Sequence, residues 1–303
     1  MTASKLKIVY NQLGSLNSAW IAPLVQHHFD LEFYDSNKTY TSQDIAWLHD
    51  ADNAWVSWSG PQVRDRLWDA MEDQQTEIVD NQLCISMPDW IWINESLWWR
   101  HLGYADYFAA PGGDKFFLML INLKKRHRDL LFNVTAKFHE QSLRSYRELG
   151  TLLSGDLEFE HGDWERYCNI DWYNSTNFSM VAETSVQGGV FVSEKSYKPL
   201  AYGHPAIIYG QQGLLKYLRA QGFVTFDHVL DESYDAAETP TRRLKIIVDN
   251  LDRLYSEFRT GTLFADAETR SRLEHNHQRF FDSEEVTQRF QQQFIEPLLH
   301  YVS

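Results

Sequence analysis

The most regular pattern in the chain is Thr241–Phe258, where Leu244, Ile247, Val248, Leu251, Leu254 and Tyr255 recur at helical spacing and predict one apolar stripe. Gln212–Gln221 predicts a shorter helix with Leu214, Leu215 and Leu218 inward and Gly222 as its stop. Phe116–Ile121, Phe178–Ala182, Val190–Val192 and Pro205–Tyr209 read as strands, with helices over Glu194–Tyr202 and from the Lys124–Arg128 cluster to about Phe138. Earlier in the chain, Lys5–Tyr10, Leu31–Tyr34 and Asn53–Ser57 predict strands. Helices are expected from Ser18 (Ala19, Ala22 and Val25 inward), over Ser42–His49 and over Val63–Gln74. Trp90–Trp99 is too dense in rings for any period to show, and the tail from Ser283 is polar except for Val286, Phe290, Phe294 and Leu298. Strands alternating with helices imply an α/β protein with parallel strands covered by helices.

Composition divides this pattern in two. The chain has 303 residues, enough for about two domains, and its 43% hydrophobic and 15% aromatic content excludes global disorder. Nine of the eleven tryptophans precede Asp114, in a stretch with six basic and fifteen acidic residues. The whole chain carries −14, which disfavours a nucleic-acid partner, while its cations gather in the later part. Pro111-Gly112-Gly113 marks the expected break, giving domains 1–112 and 113–282. Two cysteines provide no disulfide framework, no apolar run reaches the roughly 20 residues of a membrane span, and Met1–Lys7 lacks a signal-peptide core. These features lead to the expectation of a cytoplasmic protein.

Candidate chemistry lies in two segments. In Phe178–Gly210, Ser193 is placed to cap a helix whose first turn holds Glu194 and Lys195, with Lys198 one turn on. A helix start at the carboxyl edge of a parallel sheet suits a phosphate, Lys195 adds charge, and Glu194 suits ribose hydroxyls. The competing reading is a surface Glu194–Lys198 ion pair worth about 0.3–0.5 kcal/mol. In Lys124–Arg128, four cations and His127 sit between a strand and a helix start, where they oppose the macrodipole and call for an anion such as a diphosphate. Asp50-Ala51-Asp52 precedes the apolar run Ala54–Trp58, whereas a metal-binding D-x-D follows a strand, and His27-His28 and His275-Asn276-His277 have no third ligand at recognisable spacing, so no metal is expected.

The run from Glu183 through Val192-Ser193-Glu194-Lys195 to Leu200–Ile208 resembles the donor-binding segment of the α1,3-fucosyltransferase family, and Arg126-His127-Arg128 after Leu118–Asn122 resembles a segment of related bacterial and viral glycosyltransferases. Gly222–Phe226 and Asp231–Asp235 resemble further blocks, so the likeness spans roughly Lys115–Arg243. It implies a GT-B fold, two facing Rossmann-like domains with a cleft between them, in which residues 283–303 cross back to the first. It also implies transfer of a sugar from a nucleotide diphosphate sugar, the co-substrate, to a hydroxyl of a glycan or small molecule, with no cofactor. Carried over residue by residue, Glu194 would hold the ribose, Lys195 the diphosphate and Arg126 or Arg128 the phosphates, with Glu183 in or near the donor cleft.

In such a plan the first domain takes the acceptor. Asn11, Trp58, Trp90 and Trp92 are its candidate contacts, while Trp20, Trp47, Trp55 and Trp68 read as core. Asp80, Asp89 and Glu95 are candidates for a base that takes the acceptor proton. Two rival readings are a phage-type DNA glycosyltransferase acting on a modified base, opposed by the acidic first half, and a non-catalytic carbohydrate-binding protein, which leaves the cationic cluster without a role.

Overall fold

The computed structural model describes residues 6–10, 19–33, 45–50, 53–57, 82–109, 111–153 and 169–302. The chain divides into two units, Met1–Leu102 with Ser283–Ser303, and Gly103–Asp282.

In the first unit, β1 (Leu6–Tyr10), β2 (Phe29–Phe33), β3 (Ile45–Asp50), β4 (Asn53–Ser57) and β5 (Gln82–Ser86) form one sheet in the order β2-β1-β3-β4-β5. β1 is parallel to β2 and β3, but β3–β4 and β4–β5 are antiparallel, so this sheet is mixed and the parallel expectation holds for only part of it. The helix expected over Ser42–His49 is corrected to strand β3. A six-residue run with few polar breaks does not separate helix from strand by period, and pairing with β4 from Asp50↔Asn53 to Ala46↔Ser57 decides it. Helix α1 (Ala22–Gln26) is shorter than expected and buries Ala22 and Val25, while Ala19 is exposed. Val63–Gln74, also expected as helix, lies outside the described residues.

Helix α2 (Trp90–His101) buries Trp90, Trp92, Ile93, Asn94, Glu95, Ser96, Trp98 and Trp99, which together cover most of its circumference. Burial on nearly every side leaves no amphipathic period to read. Against it lies the tail, Ser283–Phe290 followed by a π-helical turn, Gln291–Ile295, and Glu296–Val302. Val286, Phe290, Phe294 and Leu298 are all fully buried. A strict four-residue spacing drifts about 40° per step around an α-helix, and the wider π turn absorbs that drift so the four side chains stay inward.

The second unit has a fully parallel sheet, β6 (Leu118–Ile121), β7 (Leu143–Tyr146), β8 (Ser179–Ala182) and β9 (Ala206–Tyr209), in the order β7-β6-β8-β9. Around it lie α3 (Arg126–Val134), α4 (Ile170–Asn174), α5 (Glu194–Ala201), α6 (Leu214–Ala220), α7 (Pro240–Thr260) and α8 (Ala267–Phe280). The α7 stripe buries Leu244, Ile247, Leu251 and Leu254, with Val248 and Tyr255 at its margin. Phe116 sits in a ring cluster with Phe117, Phe138, Phe178, Tyr255 and Phe258, at centroid distances of 5.1 to 5.4 Å.

Val190–Val192 is corrected from strand to irregular loop. Instead of sheet pairing, this segment is held at its end, where the Ser193 amide donates to the Glu183 carboxylate. The Pro111-Gly112-Gly113 run lies inside the second unit. A Cβ on Gly113 would stand 2.0 Å from the Ser175 carbonyl carbon, so glycine is required for that close approach.

Candidate functional site

The order β7-β6-β8-β9 creates a topological switch point. The connection from β6 runs through α3 to β7 on one side, whereas the chain from β8 runs through α5 to β9 on the other. The carboxyl ends of β6 and β8 are therefore where open α/β sheets leave a crevice for ligands. Both candidate segments begin there, Lys124–Arg128 after β6 and Glu183–Lys195 after β8.

Glu183, directly after β8, is fully buried and its carboxylate receives four hydrogen bonds. Oε1 accepts from the Ser193 amide at 3.0 Å and the Ser196 hydroxyl at 2.6 Å, and Oε2 from the Thr184 amide at 2.8 Å and the Ser193 hydroxyl at 2.7 Å. The negative charge thus closes the loop onto the start of α5 and is stabilised by that helix's dipole. Ser193 caps α5 as its sequence predicted. Arg243 of α7 pins the middle of the loop by donating to the Val186 carbonyl.

The β6 side reaches across to the same loop through its backbone. Lys125 Nζ donates to the Thr184 carbonyl at 2.8 Å. His127 Nε2 lies 2.9 Å from the Glu183 carbonyl, which Arg128 also approaches with Nε and Nη2, both at 3.3 Å. Arg128 Nη1 turns back to the Leu123 carbonyl at 3.1 Å. The Tyr146 hydroxyl at the end of β7 donates to Asp129 at 2.7 Å, and burial together with that bond pushes its pKa up to about 12.

These contacts bring several cations together. Burial, followed by the charges of Arg128 and Lys195, lowers the Lys125 pKa, which places Lys195 of α5 within electrostatic reach of the β6 loop. Lys195 forms a 2.6 Å ion pair with Glu194. Burial works to raise the Glu194 pKa, but Lys195 and Lys198 outweigh it and hold the carboxyl below its ordinary value. His127 is held below the usual imidazole value, chiefly by burial and further by Arg128 and Lys125, against the opposing pull of the Glu183 carbonyl. Arg126, at the first position of α3, is exposed and makes no side-chain hydrogen bond or ion pair with another described residue.

The predicted donor set is therefore assembled but plays mixed roles. Arg126, Glu194 and Lys195 are at the surface or partly exposed, whereas Arg128, Glu183 and Ser193 face inward and shape the loop, and Lys198 is buried. Sequence reasoning gave His127, Lys125 and Arg243 no separate role. His127 was visible only as a member of the basic run, and Arg243 as a polar position on a helix, because their partners are backbone carbonyls that no side-chain pattern records.

The acceptor-side candidates of the first unit fare differently. Asp89 is 5% exposed, with its carboxylate bonded to Gln293 Nε2 at 2.7 Å and to Arg289 at 2.5 Å. Glu95 is 3% exposed and accepts from Asn94 at 3.3 Å. A base must reach the acceptor hydroxyl, and both carboxylates are enclosed by protein, so the base reading of Asp89 and Glu95 is corrected to a structural one. Trp90 and Trp92 are corrected from sugar platforms to core, with Trp92 beneath the Arg289 guanidinium at 4.8 Å and Trp90 against Phe290 at 6.4 Å. Trp20, expected in the core, is partly exposed, stacks on Trp98 at 5.2 Å and donates to Asn94 at 3.1 Å. Asn11, Trp58 and Asp80 lie outside the described residues.

Among the described residues no group of three or more His, Cys, Asp or Glu side chains is placed to hold a metal ion, and no helix is long and apolar enough to cross a membrane. No protein-family model matches the chain, and neither a curated protein nor a solved structure is significantly similar to it.

Proposed function

We propose that the second unit binds the diphosphate of a nucleotide sugar at the β6/β8 edge, and that the protein is a glycosyltransferase passing the sugar to an acceptor hydroxyl. The observation that carries the reading is that Arg128 and Lys195 lie within electrostatic reach of Lys125, with the exposed Arg126 at the start of α3, at the switch point of a parallel sheet in a chain of net charge −14. Mutually repelling cations held near one crevice are offset by a bound anion, and charge-assisted bonds to phosphate are among the strongest available. In this reading Arg126 and Lys195 contact the diphosphate, while Arg128 and Glu183 set the loop that presents them.

The reaction breaks the bond between the anomeric carbon and the diphosphate oxygen and forms one to the acceptor oxygen, with the hydroxyl proton passing to a base. Neutralising the leaving diphosphate is the task these cations suit. The GT-B plan, with the first unit taking the acceptor, belongs to the same proposal.

The test is a melting-temperature screen with uridine, guanosine, cytidine, adenosine and thymidine diphosphates. A nucleotide at 100 times its Kd stabilises the native state by about 2.7 kcal/mol. Arg126→Ala and Lys195→Ala are expected to abolish the shift while leaving the unliganded melting temperature within about 2 °C of wild type. Absence of a shift with every nucleotide overturns the reading.

A further inference from the structure

His127 holds an unused acceptor inside the cationic cluster. Its Nε2 lies 2.9 Å from the Glu183 carbonyl oxygen, an atom that only accepts, so Nε2 carries the hydrogen. The neutral ring then has its lone pair on Nδ1. Nδ1 makes no hydrogen bond to another described residue, and the ring is partly exposed. The ring is also fixed in place. Tyr209, at the end of β9, meets it edge-on at a centroid distance of 6.2 Å, Arg128 beside it in sequence bonds the same Glu183 carbonyl, and Lys125 bonds the next carbonyl of that loop, Thr184. Burial and those two cations keep it in the neutral form near pH 7.

Its neighbours are hydrogen-bond donors. Lys125 and Arg128, which act on it electrostatically, and Arg126 and Lys195 of the same two segments have no acceptor capacity, and Glu194 gives its Oε1 to Lys195. A diphosphate satisfies donors but offers no hydrogen to Nδ1. A hydroxyl does, and a nucleotide sugar carries hydroxyls on both sides of its diphosphate.

We infer that His127 is a hydroxyl-recognition residue of this site, accepting through Nδ1 a hydrogen bond from a ribose or sugar hydroxyl of the bound nucleotide sugar. The inference rests on the donor-site reading given above. It makes the site favour a polyhydroxylated ligand over a bare polyphosphate, because only a ligand with a hydroxyl at that place can donate to this acceptor.

The test compares wild type with His127→Gln by calorimetric titration of three probes, namely pyrophosphate, the nucleoside diphosphate that gives the largest melting shift, and the corresponding nucleotide sugar. Glutamine retains an amide hydrogen for the Glu183 carbonyl and removes the Nδ1 acceptor, so the fold and the loop are expected to be preserved. Pyrophosphate affinity should stay within twofold. Affinity for the hydroxyl-bearing ligand should fall about tenfold, which corresponds to about 1.4 kcal/mol for one hydrogen bond. A loss already seen with the nucleoside diphosphate assigns the ribose, and a loss confined to the nucleotide sugar assigns the transferred sugar. Equal affinities of wild type and variant for all three probes overturn the role of His127 alone. Failure of wild type to bind any probe overturns the donor site and the inference together. An equal weakening of all three marks His127 as structural and also overturns it.

Discussion

Replacing Glu183 by Gln tests the loop clamp quantitatively. Each carboxylate oxygen receives one backbone N–H and one hydroxyl, Ser193 N and Ser196 Oγ on one side, Thr184 N and Ser193 Oγ on the other. A glutamine amide presents an NH2 to one of those pairs. The hydroxyl can rotate to accept from it, but the backbone N–H cannot, so one amide loses its partner in either orientation. The buried Ser193 side is the costlier place, and the NH2 is expected to turn toward the more open Thr184. An unpaired buried donor costs about 1–3 kcal/mol, here at the lower end, and the surviving bonds lose their charge assistance. Together these give about 2 kcal/mol. For a unit of this size that is about 4–8 °C in Tm, read by scanning calorimetry alongside far-ultraviolet circular dichroism. Glu183→Ala should be worse because it strands both amides. A Glu183→Gln protein melting within 1 °C of wild type would refute the clamp.

Two further outcomes are expected. His204 is fully buried between Ser179 and Thr176, and burial depresses its pKa to about 4 from an ordinary 6.5. The unfolded chain therefore takes up a proton that the folded one refuses. Stability is fully present above pH 6.5 and falls by about 1.4 kcal/mol per pH unit, about 3 kcal/mol in all, as pH drops toward 4; urea midpoints at pH 4.5, 5.5 and 7.5 should lose this slope in His204→Gln, and an unchanged slope counts against it. Asp89→Asn should lower the unfolding free energy by about 2 kcal/mol through the lost Arg289 partner, without changing nucleotide affinity; undiminished stability with abolished sugar transfer would return Asp89 to the role of base.

What the sequence disclosed tracks the range of the interactions. The α7 stripe and strands β6, β8 and β9 of the second unit are written in local patterns, as are Ser193 at a helix start and the four-residue spacing of the tail apolar positions, whereas β7 (Leu143–Tyr146) shows no such pattern and is defined by its pairing with β6. Strand β3 does not show in the local pattern because its identity lies in cross-strand pairing with β4, and α2 shows no period because it is buried on most sides. The cationic cluster was legible as a run of residue types. Its division into loop-builders and free cations was not, because Arg128 and Lys125 answer to carbonyls more than 50 positions away. The misassignment of Asp89 has the same cause, since Arg289 and Gln293 lie 200 and 204 residues on.

The interleaving of the two units has a consequence for biosynthesis. Residues 103–282 form one uninterrupted unit, whereas the first unit draws on Met1–Leu102 and on Ser283–Ser303. On a ribosome the second unit is therefore complete before the first has received Val286, Phe290, Phe294 and Leu298 for its core. Domains generally fold in the order they emerge, and this chain reverses that order. The tryptophan-rich helix Trp90–His101 waits through the synthesis of 180 intervening residues, so the nascent chain carries it without its core partners until Ser283–Val302 are made.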